Sequence, residues 1–189
     1  MLKIRKGSKS YALLKHLATG SGVIIISLLS PPTGAKLLQI GLAGYFRKRR
    51  FERYRLRRDL KKLQDRSLVS WREHTDGRIE IKLARRGEEV MLVHKLDSLA
   101  LPRPKHWDNK WRLITFDIPH SCKRARDAFR RKLRDLNFHP LHKSVFLTPF
   151  PCEDEIDFLA AVLDVRPHVL ILEVCHFEGE AKLKRHFNL

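Results

Sequence analysis

The order of apolar and polar residues over the first 42 positions predicts two helices separated by a turn. Residues 8–29 are typical of one long helix, in which the apolar run from Val23 to Leu29 forms the buried part. Two prolines and a glycine in residues 30–34 predict a turn. The short apolar pattern AKLLQIGL over residues 35–42 predicts a second helix.

The pattern after this point predicts a third helix, a hairpin and a closing helix. The third helix starts between residues 51 and 55, and its leucines recur at helical spacing and face inward: Leu56, Leu60 and Leu63. Alternating residues at 71–73 and 79–82 predict two strands, and HTDG at 74–77 predicts the turn between them. Residues 84–96 predict the closing helix. Three helices followed by a hairpin and a further helix predict a winged helix-turn-helix domain.

The second half of the chain predicts alternating strands and helices. A strand at 111–119 precedes an amphipathic helix at 122–136, and residues 139–150 read as two strand pieces in succession. A helix at 153–164 and a strand at 169–177 complete the order βαββαβ. This order is typical of a ferredoxin-like fold, with a four-stranded antiparallel sheet and both helices on one face. The predicted fold class is therefore α+β.

Domain boundaries follow from these elements and from the prolines between them. We predict a winged-helix domain at residues 1–98, a linker at 99–109 and a ferredoxin-like domain at 110–189. Two prolines stiffen the linker in an extended form. Trp107 is expected to anchor it against the second domain.

Positive charge is concentrated in the first half. The formal net charge is +18, and residues 45–66 contain 11 Lys and Arg in 22 positions. Residues 1–108 have 25 Lys and Arg against 10 Asp and Glu, whereas residues 109–189 have 14 against 11. Such a concentration of cations favours a polyanion as partner, although a solvated helix face or a disordered tail would give the same composition.

The third helix and the hairpin supply the candidate DNA-binding residues. We expect the outward residues of the helix to enter the major groove, the preceding basic residues to lie along phosphates, and the hairpin to touch the backbone or the minor groove. These candidates are Arg47, Lys48, Arg49, Arg50, Arg55, Arg57, Arg58, Lys61, Lys62, Arg72, His74 and Arg78. The basic helix at 122–136 is expected to form a second phosphate patch or the rim of a dimer interface.

Other residue classes predict little further chemistry. The apolar run after Val23 is too short to span a bilayer, so no membrane partner is expected. Three cysteines without a CxxC pair favour neither disulfides nor zinc. We therefore expect a cytoplasmic protein. Histidines at 139 and 142 have no evident further ligands and are interpreted as strand-surface residues.

Residues 110–180 resemble two related families. WRLITFDIP, KSVF at 143–146 and the closing HVLILEVCHFEG are similar to the small domain of the CRISPR-associated adaptation nucleases, the second Cas protein, and more so to PaaX-type transcriptional repressors. The resemblance implies a winged helix before this domain. PaaX proteins normally have a further carboxy-terminal region, whereas this sequence ends at Leu189. A small-molecule effector, known for that family as an acyl-coenzyme A, is therefore not expected.

The resemblance also points to Asp117. In the nuclease family the matching aspartate is the proposed metal ligand, shared between two copies with one magnesium ion between them. Mg²⁺ bound in this way would activate water for phosphodiester cleavage. The alternative role for Asp117 is that of a helix cap or turn former before Pro119.

These observations together predict a homodimeric protein that reads double-stranded DNA with its winged helix and dimerises through its second domain, a transcriptional regulator without a cofactor. The alternative is a metal-dependent nuclease or a CRISPR-adaptation-like DNA scaffold, with Asp117 as catalytic and metal-binding residue. A basic RNA-binding or ribosome-associated protein is a third possibility.

Overall fold

The computed structural model describes residues 4–20, 22–27, 46–47, 50–51 and 53–189. The chain divides into two compact units, an amino-terminal unit of residues 1–97 and a carboxy-terminal unit of residues 98–189. The helix predicted over 35–42 lies outside the described residues. Among the helices that are described, none combines the length and apolar character that a membrane crossing needs.

The amino-terminal unit combines helices with a three-stranded antiparallel sheet of order β1-β5-β4. A two-stranded antiparallel pair, β2 with β3, precedes α2. The elements are α1 (Lys9–Thr19), β1 (Val23–Ser27), β2 (Phe46–Arg47), β3 (Arg50–Phe51), α2 (Arg53–Asp65), β4 (Val69–Glu73), β5 (Arg78–Leu83) and α3 (Arg85–Asp97).

The prediction of one helix over residues 8–29 is wrong in its second half. Helix α1 starts after Ser8, whose hydroxyl oxygen accepts a hydrogen bond from a backbone N–H, and it ends at Thr19. Gly20 is the C-cap, and its backbone N–H donates to the His16 carbonyl. Gly22 then has a φ of +76°, which glycine adopts at little cost because it has no Cβ. The following residues form β1, in which Ile24 and Ile26 are buried while Ile25 is 60% exposed. This alternation is that of a strand, and β1 pairs along its length with β5.

Helix α2 and the hairpin follow the prediction. The three leucines of α2 that were expected to face inward are buried at 0 to 3% exposure and pack with the leucines of α1: Leu13, Leu14 and Leu17. Strands β4 and β5 pair with Trp71 opposite Ile81. The turn between them is closed by hydrogen bonds from the N–H of His74 to the Arg78 carbonyl (2.8 Å) and from the N–H of Gly77 to the His74 carbonyl (2.9 Å).

The first turn of α3 packs closely against the chain between α2 and β4. Gly87 is buried there, and a Cβ at this position would lie 2.2 Å from the carbonyl oxygen of Leu68 and 2.8 Å from the side chain of Leu83. Glycine is needed because any larger residue would push the helix away from this backbone. The contact fixes α3 against the end of the hairpin.

The carboxy-terminal unit is built on a four-stranded antiparallel sheet of order β7-β8-β6-β9. Its first six elements alternate in the predicted order βαββαβ, and a last helix, which the sequence pattern did not predict, follows them. The elements are β6 (Trp111–Phe116), α4 (Lys123–Asp135), β7 (His139–His142), β8 (Val145–Thr148), α5 (Glu153–Val162), β9 (Val169–Val174) and α6 (Glu180–Phe187), with 3₁₀ turns at His120–Cys122 and Arg166–His168.

The two faces of β6 meet different helices. Phe116 packs edge-on against Phe129 of α4, with ring centroids 5.2 Å apart, and Arg112 reaches Glu153 of α5 at 3.5 Å. Because residues 112 and 116 lie on the same face of the strand, α4 and α5 both contact that face. Trp111 points to the other face and packs against Phe187 of α6, with centroids 6.0 Å apart.

The segment before β6 is attached to the carboxy-terminal unit, as expected for Trp107. Its ring lies edge-on to Trp111, with centroids 5.2 Å apart, and its indole N–H donates to the Lys110 carbonyl at 3.0 Å. The ammonium group of Lys184 on α6 lies 5.4 Å from the Trp107 ring centroid. Trp107 therefore joins the segment, the sheet and α6 in one apolar cluster.

Candidate nucleic-acid interface

The outward face of α2 is a row of exposed cations. Arg57, Arg58, Lys61 and Lys62 are all exposed, as predicted, while the leucines between them are buried. Arg55 is also exposed. Residues four apart lie next to each other on a helix, so Arg58 neighbours Lys62 and Arg57 neighbours Lys61. Neighbouring like charges repel, and an anion bound along this face would relieve that repulsion.

The cations of α2 differ in what they contact. Arg57 forms an ion pair with Glu73 at the end of β4. Arg58 lies 3.5 Å from its chain neighbour Asp59. The side chains of Lys61 and Lys62 form no hydrogen bond or ion pair with any residue in the described ranges. The Arg57 pair joins α2 to the hairpin, and the two lysines leave their full charge for an external anion.

Tyr54 is a candidate that the sequence reasoning missed. It is 77% exposed, and it precedes Arg58 by four residues and Lys61 by seven, which places all three on one face. A tyrosine with its hydroxyl in water can donate to a phosphate and present an aromatic face. Its spacing of four and seven residues from these cations is the signal in the sequence that could have identified it.

The hairpin presents cations together with acidic neighbours. Arg72, His74 and Arg78 are exposed, but Arg78 is bound to Asp76 and His74 lies 3.7 Å from Glu80. The backbone N–H of Arg78 donates to the Asp76 carboxylate at 3.0 Å, and this bond is the main reason that the pKa of Asp76 is below its ordinary value. The tip of the hairpin therefore holds its charges in internal pairs.

A second acidic residue reduces the charge of the hairpin further. Glu80 accepts a hydrogen bond from Lys82, which lowers the pKa of the Glu80 carboxyl, and it lies opposite Arg72 in the strand register. Glu80 is therefore charged at neutral pH, close to two cations. The hairpin attracts an external anion less strongly than α2 does.

The four basic residues before α2 are only partly described. Arg47 and Arg50 lie opposite each other in the β2–β3 pair. Lys48 and Arg49 lie outside the described residues. The expected contact of these four residues with phosphates therefore stays a prediction.

Asp117 follows β6 and is exposed. Its backbone N–H donates to the His168 carbonyl at 3.0 Å, which ties the strand end to the turn before β9. A role of Asp117 as helix cap is wrong, because the N-cap positions of the following 3₁₀ turn and of α4 are Pro119 and Cys122, neither with a side-chain bond. Its other expected role, as a turn former before Pro119, stays a prediction.

The residues near Asp117 offer little else to a magnesium ion. Within the described ranges, no three His, Cys, Asp or Glu side chains cluster closely enough to hold a metal ion. Mg²⁺ is typically bound by one or two carboxylates together with waters and phosphate oxygens. Asp117 supplies one such carboxylate, and its role as a metal ligand, expected from the resemblance, stays a prediction.

One face of the carboxy-terminal sheet is apolar and partly open. Leu170 and Leu172 of β9 are 54% and 40% exposed. In the register Leu172 lies opposite Leu113 of β6, which is half-buried, and Leu170 lies opposite Thr115. Val145 of β8 lies beside Thr115 on the same face and is also half-buried. None of these side chains is charged. We call these five residues the open sheet face.

The family match to known proteins lies within the carboxy-terminal unit. Residues 104–185 match the model of the family described as PaaX protein central Cas2-like domain. A solved structure of an uncharacterised protein from Mycobacterium tuberculosis is similar over 94% of this chain at 17% identity and a TM-score of 0.37. The chain spans 66% of that protein's length. No curated protein matches the chain. The resemblance to PaaX proteins expected from the sequence is thus confirmed for the domain at residues 104–185, which is Cas2-like.

Proposed function

We propose that the protein is a homodimeric transcriptional regulator that binds double-stranded DNA through its amino-terminal unit. The observation that supports this most strongly is the face of α2, where four cations and Tyr54 are exposed over a fully buried leucine row. A helix held rigidly by its apolar face, with its cations in water, has the form of a recognition helix in the major groove. The similarity of residues 104–185 to a domain of PaaX proteins supports a role in regulation.

The order of elements in the amino-terminal unit supports a winged helix. Helix α2 runs directly into the β4–β5 hairpin, and β1 adds a third strand to that hairpin along β5. In a winged helix the recognition helix likewise precedes a hairpin, the wing, which flanks the DNA. On this proposal α2 reads the groove and the hairpin contacts the backbone beside it.

The internal pairs suggest separate roles for the cations of α2. Arg57 is held by Glu73, so it positions the helix on the hairpin. Lys61 and Lys62 have full charge to offer to phosphates. Arg58 is 48% exposed at its side chain, and its guanidinium has the planar fork that binds the O6 and N7 atoms of guanine.

The carboxy-terminal unit is proposed to be ferredoxin-like and to dimerise through the open sheet face. Two copies of a chain with a formal charge of +18 repel each other, and a face without charged side chains is where that repulsion is weakest. Its apolar side chains also gain most from being covered. A two-fold pair would present two amino-terminal units, so a palindromic binding site is expected.

The dependence of DNA affinity on salt tests the role of α2. Each phosphate contact contributes roughly 0.9 to the slope of log affinity against log salt concentration. We expect Lys61→Gln/Lys62→Gln to lower this slope by about 2 without changing thermal stability, because both side chains are exposed and form no hydrogen bond or ion pair with described residues. The matched control is Lys15→Gln/Arg86→Gln in the same unit, which removes the same charge from two exposed cations outside α2 and should leave the slope unchanged.

The outcome that would reject this role is an unchanged slope in the α2 variant, or a wild-type protein that does not bind duplex DNA at low salt. Selection of bound sequences from a random duplex pool tests the symmetry separately. A palindromic consensus is expected from a two-fold dimer. Recovery of no motif would favour the scaffold alternative.

Sedimentation equilibrium tests the dimer. We expect Leu172→Arg to give a monomer, because it places a charge in the middle of the proposed apolar interface. Leu92→Arg on α3 is the control, since Leu92 has a similar exposure of 41% but lies in the other unit. A monomeric wild type, or a dimeric Leu172→Arg variant, would contradict the assignment of the interface to this face.

A further inference from the structure

Helix α4 in the carboxy-terminal unit has a cationic face of its own. Its 13 residues include seven Lys and Arg and two Asp. Phe129 and Leu133 are buried and attach the helix to the sheet. Four cations lie exposed on the opposite side, and we call them the α4 row: Lys123, Arg124, Arg131 and Arg134.

As in α2, some cations of α4 bind other residues of the protein and others do not. Arg130 donates to the Lys143 carbonyl at 2.7 Å, lies 3.8 Å from Asp127, and has its guanidinium 5.8 Å from the Phe116 ring centroid. It therefore has a structural role. The side chains of the four residues of the α4 row form no hydrogen bond or ion pair with any residue that the structure describes.

The spacing of the row is that of one helix face. Arg124 and Arg131 are two turns apart, and Arg134 is one turn further, so the row extends along about 15 Å of the helix. Arg131 and Arg134 are three residues apart, so these two cations are neighbours on the helix surface and repel each other, while Asp127, four residues before Arg131, offsets part of the positive charge on this side. The first turn contains no acidic residue, and the N-cap makes no side-chain bond, so the helix dipole adds to the positive potential there.

We propose that the α4 row binds the phosphates of duplex DNA, as a second, sequence-independent contact separate from α2. Guanidinium groups bind phosphate oxygens in two-pronged geometry, and three of the four residues are arginines. An amphipathic membrane helix would present apolar residues to the lipid, but the apolar residues of α4 are buried in its own unit. A protein interface would have an apolar centre, which this exposed face lacks.

The identity of the anion rests on the proposed DNA binding of the chain, whereas the site itself rests on the exposed and unpaired side chains of the α4 row. Of the two expectations for this helix, a phosphate patch and the rim of a dimer interface, we therefore favour the phosphate patch. Because such a contact involves only the phosphates of the DNA backbone and no base, it should strengthen binding to all DNA sequences equally.

The test uses the full chain with Arg124→Gln/Arg131→Gln/Arg134→Gln. The control, Lys105→Gln/Lys182→Gln/Arg185→Gln, removes the same charge from exposed positions elsewhere in the same unit. Affinity for a selected duplex and for a scrambled duplex is measured at several salt concentrations. We expect the α4 variant to lower the salt slope by about 2 to 3 for both duplexes and to leave their affinity ratio unchanged, while the control matches wild type.

The outcomes separate this proposal from the proposed function. One outcome is that wild type binds duplex DNA and the α2 variant lowers the slope, but the α4 variant behaves like its control. The α4 row is then not a DNA contact, and the proposed role of α2 as recognition helix is kept. If only the α4 variant lowers the slope, the row is a DNA contact and α2 is not the reader. Loss of binding to phosphatidylserine vesicles in the α4 variant, with an unchanged DNA slope, would overturn the choice of DNA in favour of a membrane surface.

Discussion

The buried cation of the carboxy-terminal unit gives a sharp test of how the sheet is stabilised. The Arg112 side chain is only 6% exposed, and its guanidinium binds both oxygens of Asp108, at 2.6 and 2.9 Å. It also donates to the Lys110 carbonyl at 3.1 Å and approaches Glu153 at 3.5 Å. The carboxylates of Asp108 and Glu153 are 42% and 46% exposed, so the charges differ in their access to water.

This difference predicts that removing Asp108 and removing Arg112 lower the free energy of unfolding by unequal amounts. In Asp108→Ala the guanidinium stays buried and loses both charged hydrogen bonds. Such bonds are worth about 1.5–3 kcal/mol each when buried, and because Asp108 is nearly half exposed we halve this, which gives about 2 kcal/mol in total. In Arg112→Met a side chain of similar length fills the site, and the carboxylates left behind are hydrated. We expect this change to cost less than about 1 kcal/mol.

Urea unfolding followed by tryptophan fluorescence measures these costs. Trp107 and Trp111 both lie in the carboxy-terminal unit, so a Trp71→Phe background limits the signal to this unit. The double variant Asp108→Ala/Arg112→Met should be about as stable as Arg112→Met alone, because the buried guanidinium that Asp108 binds is then absent. A larger cost for Arg112→Met than for Asp108→Ala would refute the reasoning, since it would mean that the cation mainly offsets repulsion among the carboxylates.

The same pair predicts a dependence on pH. Hydrogen bonds from Arg112 hold the pKa of Asp108 below its ordinary value. A carboxyl whose pKa is lower in the folded state stabilises that state fully above its unfolded pKa, near 4, and loses the contribution as the pH falls through the folded pKa. The stability difference between wild type and Asp108→Ala should therefore be constant at neutral pH and shrink in acid below about pH 4. A difference that persists into strong acid would contradict this origin.

Three further changes test other parts of the structure. Gly87→Ala should destabilise the amino-terminal unit by about 2–3 kcal/mol in urea unfolding, because the added Cβ would meet backbone at 2.2 Å; a cost near zero would mean that α3 can move freely. Burial raises the pKa of the Cys152 thiol to about 12, so mass spectrometry should find maleimide on the exposed Cys122 and Cys175 at pH 7 and on Cys152 only in denaturant. Asp117→Asn should leave duplex affinity unchanged, and a Mg²⁺-dependent cleavage that this change abolishes would favour the nuclease alternative.

Elements with a clear period could be predicted from the sequence, and those without one could not. The leucines of α2 recur at helical spacing over a charged background, so both the helix and its outward face were predictable. In β1 every residue from Val23 to Ile26 is apolar, so the alternation between buried and exposed positions is invisible in the sequence. The consecutive β-branched side chains and the preceding glycine were the remaining signals for a strand.

Helix α6 was missed for a different reason. It has eight residues, and its apolar positions, Leu183 and Phe187, give a single i, i+4 pair. A helix that short is marginal in isolation, and it forms here because both residues pack against the cluster around Trp111. The sequence does not show which element packs on the Trp111 face of β6, because the apolar residues of a strand can be buried by a helix or by another strand.

Counting charges in the sequence also does not show which cations are already paired or buried, and this affects the expected strength of DNA binding. The sequence shows a basic segment, but it does not show that Arg57 is paired with Glu73, 16 residues away, or that Arg112 is buried. A cation that already has an acidic partner releases few counterions when it meets DNA, because its charge is largely neutralised. The measured salt slope should therefore follow the unpartnered cations of α2 and the α4 row, and lie far below the value that the formal charge of +18 would suggest. A slope close to that value would mean that the internal pairs open on binding.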